Sequence, residues 1–176
     1  MNILVVSDSH GKVDKLIQAV EQTHPDYVLH LGDCQRDLEK LRQAFPMLPM
    51  EGVPGNCDYG SCDQPERLTE LGGVRILMLH GHTRGVKSDV MRAVWAAREC
   101  GAQVLLFGHT HRPMVDNDGT LLVLNPGAAG DPLRPTCGIL TIENGKAQSM
   151  HFAGYVKDIT RMKTAPAFDA LDMMSP

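Results

Sequence analysis

No uninterrupted apolar run in the sequence approaches the ~20 residues that a membrane-spanning helix needs. The strand-like pattern already begins at Asn2, which leaves no room for the charged region and cleavage site of a secretory signal. The formal net charge of −4 gives no overall attraction to nucleic acid or anionic lipid. We therefore expect a cytoplasmic protein with no membrane partner and no strong nucleic-acid signal.

Paired cysteines, internal repeats and linkers are also missing. The five cysteines are odd in number and scattered, and none of them forms a C-x-x-C pair. This pattern argues against both a disulfide framework and a structural zinc knuckle. With 176 residues, the chain is predicted to form one domain over residues 1–155, followed by a loosely held C-terminal tail over residues 156–176.

Hydrophobic periodicity divides the chain into two halves. The first half alternates strands with helices, predicted over residues 2–6, 13–22, 27–31, 38–45 and 50–53. The second half is predicted to hold a hairpin, a helix and short strands, over residues 66–80, 88–100, 104–107, 121–124, 137–142 and 146–152, with a further strand near Val115. The alternation in the first half is typical of parallel strands joined by crossover helices, which predicts an α/β fold.

Side chains that can bind metals follow five of the predicted strands. Asp8 and His10 come directly after the first strand, and their spacing places both on one face of an extended backbone. The others are Asp33, Asn56, His80, His109 and His111. Each alone is explained by a helix cap, a turn or a hydrogen-bonded histidine. Together we expect them to meet at one sheet edge, where mixed nitrogen and oxygen donors suit Mn, Fe, Ni or Zn rather than calcium.

Five short blocks carry a resemblance to a known family. They are Asp8-Ser9-His10, Gly32-Asp33, Gly55-Asn56-Cys57-Asp58, His80-Gly81-His82 and Gly108-His109-Thr110-His111. In order and spacing they resemble the calcineurin-like metallophosphoesterases, most closely the small single-domain YfcE-type phosphodiesterases. The resemblance extends to about Phe152 and includes Asn125-Pro126-Gly127. It implies a four-layer α/β/β/α sandwich of the metallophosphoesterase type. It also implies the activity of a metal-dependent phosphoesterase, with a phosphodiesterase as the first expectation.

The resemblance also implies a ligand set, position by position. The first metal would be held by Asp8, His10, Asp33 and His111. The second would be held by Asp33, Asn56, His80 and His109, with Asp33 bridging. The implied cofactors are two divalent ions, with Mn preferred over Ni, Fe or Zn. They would share a hydroxide that attacks the phosphorus of a small-molecule phosphate ester.

Cys57 departs from the wider family, which has a histidine at this position that is thought to protonate the leaving oxygen. A thiol can donate a proton, but beside two cations it tends to be a thiolate. Loss of a general acid costs about 10²–10⁴-fold for poor leaving groups, so we expect slow turnover of alkyl monoesters. His82 is the candidate replacement, or else contacts an anion or a ligand. Asp58 is expected to orient a ligand or Asn56.

Other residues and functions stay open at this point. Arg84, Arg112 and Arg134 either contact phosphate or are solvated. His24, His30 and His151 are expected to be structural or on the surface, and Trp95 to lie in the core or an interface.

The chain could instead be a phosphomonoesterase, a dinucleoside-polyphosphatase, or a non-catalytic scaffold similar to the retromer subunit of this fold. A site that no longer binds metal would have lost some of its ligand residues, whereas all seven candidate ligands are present. A homo-oligomer is compatible with the sequence.

Overall fold

A computed structural model of the protein describes residues 1–60 and 63–153. Its first half contains β1 (Asn2–Val6), α1 (Val13–Thr23), β2 (Tyr27–His30), α2 (Gln35–Ala44) and β3 (Met50–Gly52). Its second half contains β4 (Glu66–Leu71), β5 (Val74–Leu79), α3 (Met91–Glu99), β6 (Val104–Phe107), β7 (Met114–Asn117), β8 (Leu122–Asn125), β9 (Thr136–Glu143) and β10 (Lys146–Ala153). A short 3₁₀ helix (His82–Arg84) lies between β5 and α3.

The strands form two mixed five-stranded sheets. The order of the first sheet is β10-β9-β1-β2-β3, with β1, β2 and β3 mutually parallel. The order of the second sheet is β4-β5-β6-β8-β7, with β5, β6 and β8 parallel. Parallel neighbours point their carboxyl ends to the same edge of a sheet, where open α/β folds place their functional loops.

Alternation of side chains along the strands produces the layers. Ile3 and Val5 of β1 lie in the core between the two sheets, whereas Leu4 and Val6 pack with residues of α1 and α2. Successive side chains of a strand point to opposite faces, so one buried strand serves two cores. Residues of β5 and β6 pack with α3 in a third core. The four-layer α/β/β/α arrangement is therefore confirmed.

The expectation of a single sheet edge is wrong. The strands that precede the candidate ligands are divided between the sheets: β1, β2 and β3 lie in the first, and β5 and β6 in the second. The sheets stack on a shared core, so their carboxyl ends still meet. Side chains on both faces of β5 and β6 are buried, and such a strand does not reveal by its pattern which sheet it joins.

The helix α3 is shorter than the helix predicted over residues 88–100. Its buried residues are Ala93, Val94 and Ala97, whereas Met91 is exposed. Trp95 is 64% exposed, so its predicted place in the core is wrong and its place in an interface stays a prediction. The predicted C-terminal tail lies outside the described residues. Within residues 1–60 and 63–153, no helix is long and apolar enough to span a membrane.

Candidate metal centre

The loops that follow the strands adopt left-handed backbone at several candidate ligands. The φ angles are 55° at Asp8, 46° at His10, 58° at Asp33, 67° at His109 and 57° at His111. Non-glycine residues rarely adopt this conformation, although Asn, Asp and His do so more often than others. Such conformations cost about 1–3 kcal/mol each and persist where the surrounding structure fixes them. Backbone strain is thus concentrated where the ligating side chains collect.

The first group of side chains that could bind a metal consists of Asp8, His10 and His111. Asp8 is completely buried, and its Oδ2 accepts hydrogen bonds from Ser7 Oγ at 2.6 Å and from the backbone N–H of His109 at 3.0 Å. Its Oδ1 is buried, has no hydrogen-bond donor in the described part of the chain, and lies 3.0 Å from His111 Nε2 and 3.9 Å from His10 Nε2. A buried carboxylate oxygen without a donor is costly unless a cation compensates it. The group therefore fits a metal ion.

The second group consists of Asn56, His80 and His109. The Nδ1 of buried His80 lies 2.7 Å from the carbonyl oxygen of Leu31. Because a carbonyl only accepts, Nδ1 carries the proton and Nε2 presents its lone pair. That Nε2 lies 3.1 Å from Asn56 Oδ1, 3.1 Å from His109 Nδ1 and 3.5 Å from Asp33 Oδ1. Four atoms that can offer lone pairs converge here, which also fits a metal ion.

Asp33 lies between the two groups. Its Oδ2 is 3.9 Å from His10 Nε2, and its Oδ1 is 3.5 Å from His80 Nε2. Burial raises the pKa of Asp33, but the backbone N–H of Cys57 and the neighbouring His80 outweigh it, so the net pKa is lowered. The side chain is therefore a carboxylate with one oxygen toward each group. This is the placement that a bridging ligand requires.

His82 stands beside the second group. It begins the 3₁₀ helix, and its ring centroid is 5.5 Å from that of His80 and 6.2 Å from that of His109. Its Nδ1 is buried without a hydrogen-bond partner among the described residues. Burial and His80 lower the pKa of His82, which disfavours the imidazolium that a general acid requires. The geometry brings His82 to the centre, and its part in proton transfer stays a prediction.

Cys57 is exposed on the loop after β3 and reaches the other side of the centre. Its sulfur, a ring nitrogen of His10 and a carboxylate oxygen of Asp33 all lie within 4.8 Å of one another. Desolvation and a hydrogen bond to Asp33 raise the pKa of the Cys57 thiol. The nearby carboxylates thus oppose the thiolate, which only a strong neighbouring cation would favour.

Asp58 acts through the backbone rather than on a ligand side chain. Its Oδ1 accepts hydrogen bonds from the N–H groups of Cys34 at 3.0 Å and Gln35 at 2.7 Å, at the start of α2. Its Oδ2 accepts one from Gly55 N–H at 2.8 Å. The carboxylate thereby satisfies free donors of a helix N-terminus and joins them to the loop that carries Asn56. Asp58 is placed to position that loop, and a direct part in catalysis stays a prediction.

A buried polar cluster beneath the first group was not found from the sequence. Asp37, only 1% exposed, accepts hydrogen bonds through Oδ2 from Ser9 Oγ and from Gly11 N–H, both at 2.8 Å. These bonds fasten the turn that presents His10. Ser9 Oγ also lies 3.4 Å from Nε2 of His30, which is completely buried, so the structural alternative for His30 is confirmed. The only sequence signal was an acid in the first turn of a helix.

The burial of His30 leads us to predict that the stability of the protein depends on pH. Burial lowers its pKa from 6.5 to about 4, against smaller opposite effects of Asp58, Asp8 and Asp37. Between these values the unfolded chain binds a proton that the folded chain does not. The contribution of neutral His30 to the free energy of unfolding should therefore be complete above about pH 6.5. The free energy of unfolding should fall by up to about 3 kcal/mol as the pH decreases to about 4.

Urea unfolding of the wild type and of His30→Gln at pH 4, 5, 6 and 7 measures this contribution. We expect a smaller decrease in the variant. His109, whose pKa burial also lowers to about 4, titrates in both proteins and cancels in the comparison. His24→Asn, at an exposed histidine, should keep the wild-type decrease. Equal slopes for wild type and His30→Gln would contradict the assignment.

The remaining candidates are members of neither group. The guanidinium of Arg84 donates to both carboxylate oxygens of Glu66, at 2.6 and 2.8 Å, so it is already engaged by an acid of β4. Arg112 and Arg134 are exposed, and contact with phosphate stays a prediction for both. His24 is on the surface, as expected. The side chain of His151 lies outside the described part of the chain.

The comparison with protein families accounts for this arrangement. The model of the calcineurin-like phosphoesterase superfamily domain matches residues 1–145. The chain belongs to the calcineurin-like phosphoesterase superfamily. A relative in Bacillus subtilis (strain 168), named "Probable metallophosphoesterase YsnB", is 36% identical over 154 residues, which cover 84% of this chain and 88% of the relative. "Phosphodiesterase MJ0936" of Methanocaldococcus jannaschii is 25% identical over 81% of this chain and 94% of its own length.

Solved structures agree with the family. A Streptococcus pneumoniae TIGR4 protein, described as a predicted phosphoesterase, superposes with a TM-score of 0.70 at 27% identity over 85% of this chain and 87% of its own. Wild-type Vps29 from Entamoeba histolytica, solved in complex with zinc, has a TM-score of 0.71 at 23% identity over 87% of this chain and 92% of its own. The second likeness concerns the fold alone.

Proposed function

We propose that this chain is a metal-dependent phosphodiesterase with a dinuclear divalent-metal site. The observation that carries the proposal is the placement of Asp33, whose two oxygens face two separate groups of ligating atoms. The first position would be held by Asp8, His10, Asp33 and His111, and the second by Asp33, Asn56, His80 and His109. The resemblance to the YfcE-type phosphodiesterases favours Mn, and the four imidazoles of the set also suit Ni, Fe or Zn. Bound divalent ions would supply Lewis acidity at the phosphoryl oxygens and lower the pKa of the attacking water.

The charge of the ligand set suits an anionic substrate. Only Asp8 and Asp33 of the seven side chains are carboxylates, so two divalent ions would leave the centre with a net positive charge. Such a charge attracts a phosphate ester and stabilises the charge that develops during phosphoryl transfer. The neutral amide of Asn56 contributes by occupying a ligand position without adding negative charge.

Access is compatible with a diester, and proton supply favours an acidic leaving group. His10, Cys57 and His111 are all exposed, so the centre is open to solvent and leaves room for a second ester group. The position of the family's general acid is occupied by Cys57. Substrates with acidic leaving groups depend least on a proton donor. The name of the Methanocaldococcus jannaschii relative supports the same substrate class.

Hydrolysis of bis-p-nitrophenyl phosphate tests the proposal. Protein stripped with chelator and reconstituted separately with Mn, Ni, Fe and Zn should hydrolyse the diester with at least one of these ions and not without them. Parallel assays with an alkyl monoester and a dinucleoside polyphosphate separate the proposal from those two substrate classes. Inactivity with all four ions would instead favour a non-catalytic scaffold.

Replacement of Cys57 by histidine should restore a general acid. We expect Cys57→His to raise kcat/KM for an alkyl monoester by at least about tenfold, part of the 10²–10⁴-fold that such a group contributes. The rate for bis-p-nitrophenyl phosphate should change less, because its leaving group needs little protonation. Cys57→Ser is the control that removes the thiol without adding an imidazole. Equal monoesterase rates for the two variants would show that proton supply does not limit turnover.

A further inference from the structure

We propose that the sulfur of Cys57 is an additional metal ligand, shared with His10 and Asp33 at the first metal position. The inference rests on the proposed dinuclear site and deepens it, since it assigns a metal-selecting group to that site. This role differs from that of a proton donor, because the sulfur would bind the metal ion rather than protonate the leaving oxygen.

The geometry of three ligating atoms is the first support. The Cys57 sulfur, a His10 ring nitrogen and an Asp33 oxygen are mutually within 4.8 Å. Zinc binds sulfur at about 2.3 Å and nitrogen or oxygen at about 2.0–2.2 Å, so ligands of one ion lie at most about 4.5 Å apart. A small side-chain adjustment of exposed Cys57 brings the sulfur to that distance.

The loop that carries Cys57 is firmly held, so the short distance is imposed by the fold. The backbone N–H of Cys57 donates to Asp33 Oδ1 at 2.9 Å. Asp58, the next residue, binds Gly55 N–H and the start of α2. The backbone at Cys57 is therefore held from both sides, which keeps the thiol next to Asp33 and His10.

A separate observation indicates a cation at the same place. Asp8 Oδ1 is buried, has no hydrogen-bond partner among the described residues, and lies 3.0 Å from His111 Nε2 and 3.9 Å from His10 Nε2. His10 is thus close both to this carboxylate oxygen and to the thiol. An ion bound at His10 would be within reach of both Asp8 and Cys57.

The chemical consequence is a change in metal preference. Thiolates favour softer ions such as Zn²⁺ or Fe²⁺, whereas carboxylates and water suit Mn²⁺. In this account Cys57 shifts the first position toward Zn²⁺ or Fe²⁺, and a serine there would shift it back toward Mn²⁺.

Cobalt substitution tests the inference on the whole chain. Metal-stripped wild type titrated with Co²⁺ should develop a near-ultraviolet sulfur-to-cobalt charge-transfer band, together with the visible bands of bound Co²⁺. Cys57→Ser should lose the charge-transfer band and keep the visible bands. The ratio of Zn²⁺ to Mn²⁺ affinity should fall at least about tenfold in Cys57→Ser. Cys100→Ser should behave as wild type, because this thiol lies directly after α3 and donates to the Ala97 carbonyl.

The outcomes separate this inference from the proposed function. Visible bands without a charge-transfer band, or a charge-transfer band that survives in Cys57→Ser, would overturn the part assigned to Cys57 and leave the metal site standing. Failure of the wild type to bind Co²⁺ at all would overturn both.

Discussion

Replacement of Asp33 by asparagine is expected to lower diester hydrolysis at least about a hundredfold, because outer-shell metal partners alone are worth 10–100-fold. The substitution keeps the size of the side chain and removes the charge that both ligand groups face. An amide oxygen can still approach one ion, but an amide nitrogen cannot bind the other. We therefore expect fewer metal ions per chain together with the loss of rate, measured by elemental analysis and by kcat/KM.

Asp14→Asn is the matched control for this substitution. Asp14 is an exposed acid in the first turn of α1, and it belongs to none of the metal-capable groups found in the described part of the chain. It should retain wild-type activity and metal content. An Asp33→Asn protein that unfolds at the wild-type temperature yet keeps most of its activity would contradict the bridging role of Asp33.

Gly55→Ala is expected to disturb the same carboxylate by steric contact alone. A Cβ at position 55 would lie 2.1 Å from Asp33 Oδ1 and 2.4 Å from the Asp33 backbone nitrogen. Both distances are too short for a non-bonded contact with a carbon atom, so either the loop after β3 or the turn at Asp33 must move. Overpacking of this kind costs about 1–3 kcal/mol in free energy of unfolding. Because either movement changes the position of Asp33 relative to the loop that carries Asn56, metal affinity should also fall, by at least about tenfold.

Gly145→Ala separates the steric effect from an ordinary glycine substitution. Gly145 has a φ of 72°, and a Cβ there meets no atom within 4 Å. Its replacement should cost about 1 kcal/mol in backbone strain and leave metal affinity unchanged. Urea unfolding and metal titration of both variants measure the two effects. Wild-type metal affinity in Gly55→Ala would show that the Asp33 turn is not held as described.

The sequence predicted most of the secondary structure because local patterns determine it. The strand over residues 2–6 is a short aliphatic run and is confirmed without change as Asn2–Val6. The helix predicted over residues 13–22 is confirmed as Val13–Thr23, because His24 ends it in a left-handed conformation before Pro25. The division into two sheets was not predictable in the same way, since β6 is buried on both faces and carries no signal of its neighbours.

The site was predictable where its residues follow strands, and not where the fold brings distant groups together. The two ligand groups assemble from residues that parallel strands deliver to neighbouring edges. Asp58 was expected to orient a ligand or Asn56, but its partners and those of Asp37 could not be predicted, because they include backbone N–H groups that only the folded chain brings near. Arg84 was ambiguous for a similar reason, since its partner Glu66 lies on a different element.

The number of metal ions that accompany activity tests the dinuclear site most directly. Metal-stripped protein is titrated with Mn²⁺ while bound metal per chain and the rate of bis-p-nitrophenyl phosphate hydrolysis are measured on the same samples. The account predicts that two ions bind per wild-type chain and that the rate reaches its maximum only as the second position fills. Full activity with a single bound ion, or two bound ions with no hydrolysis, would contradict it.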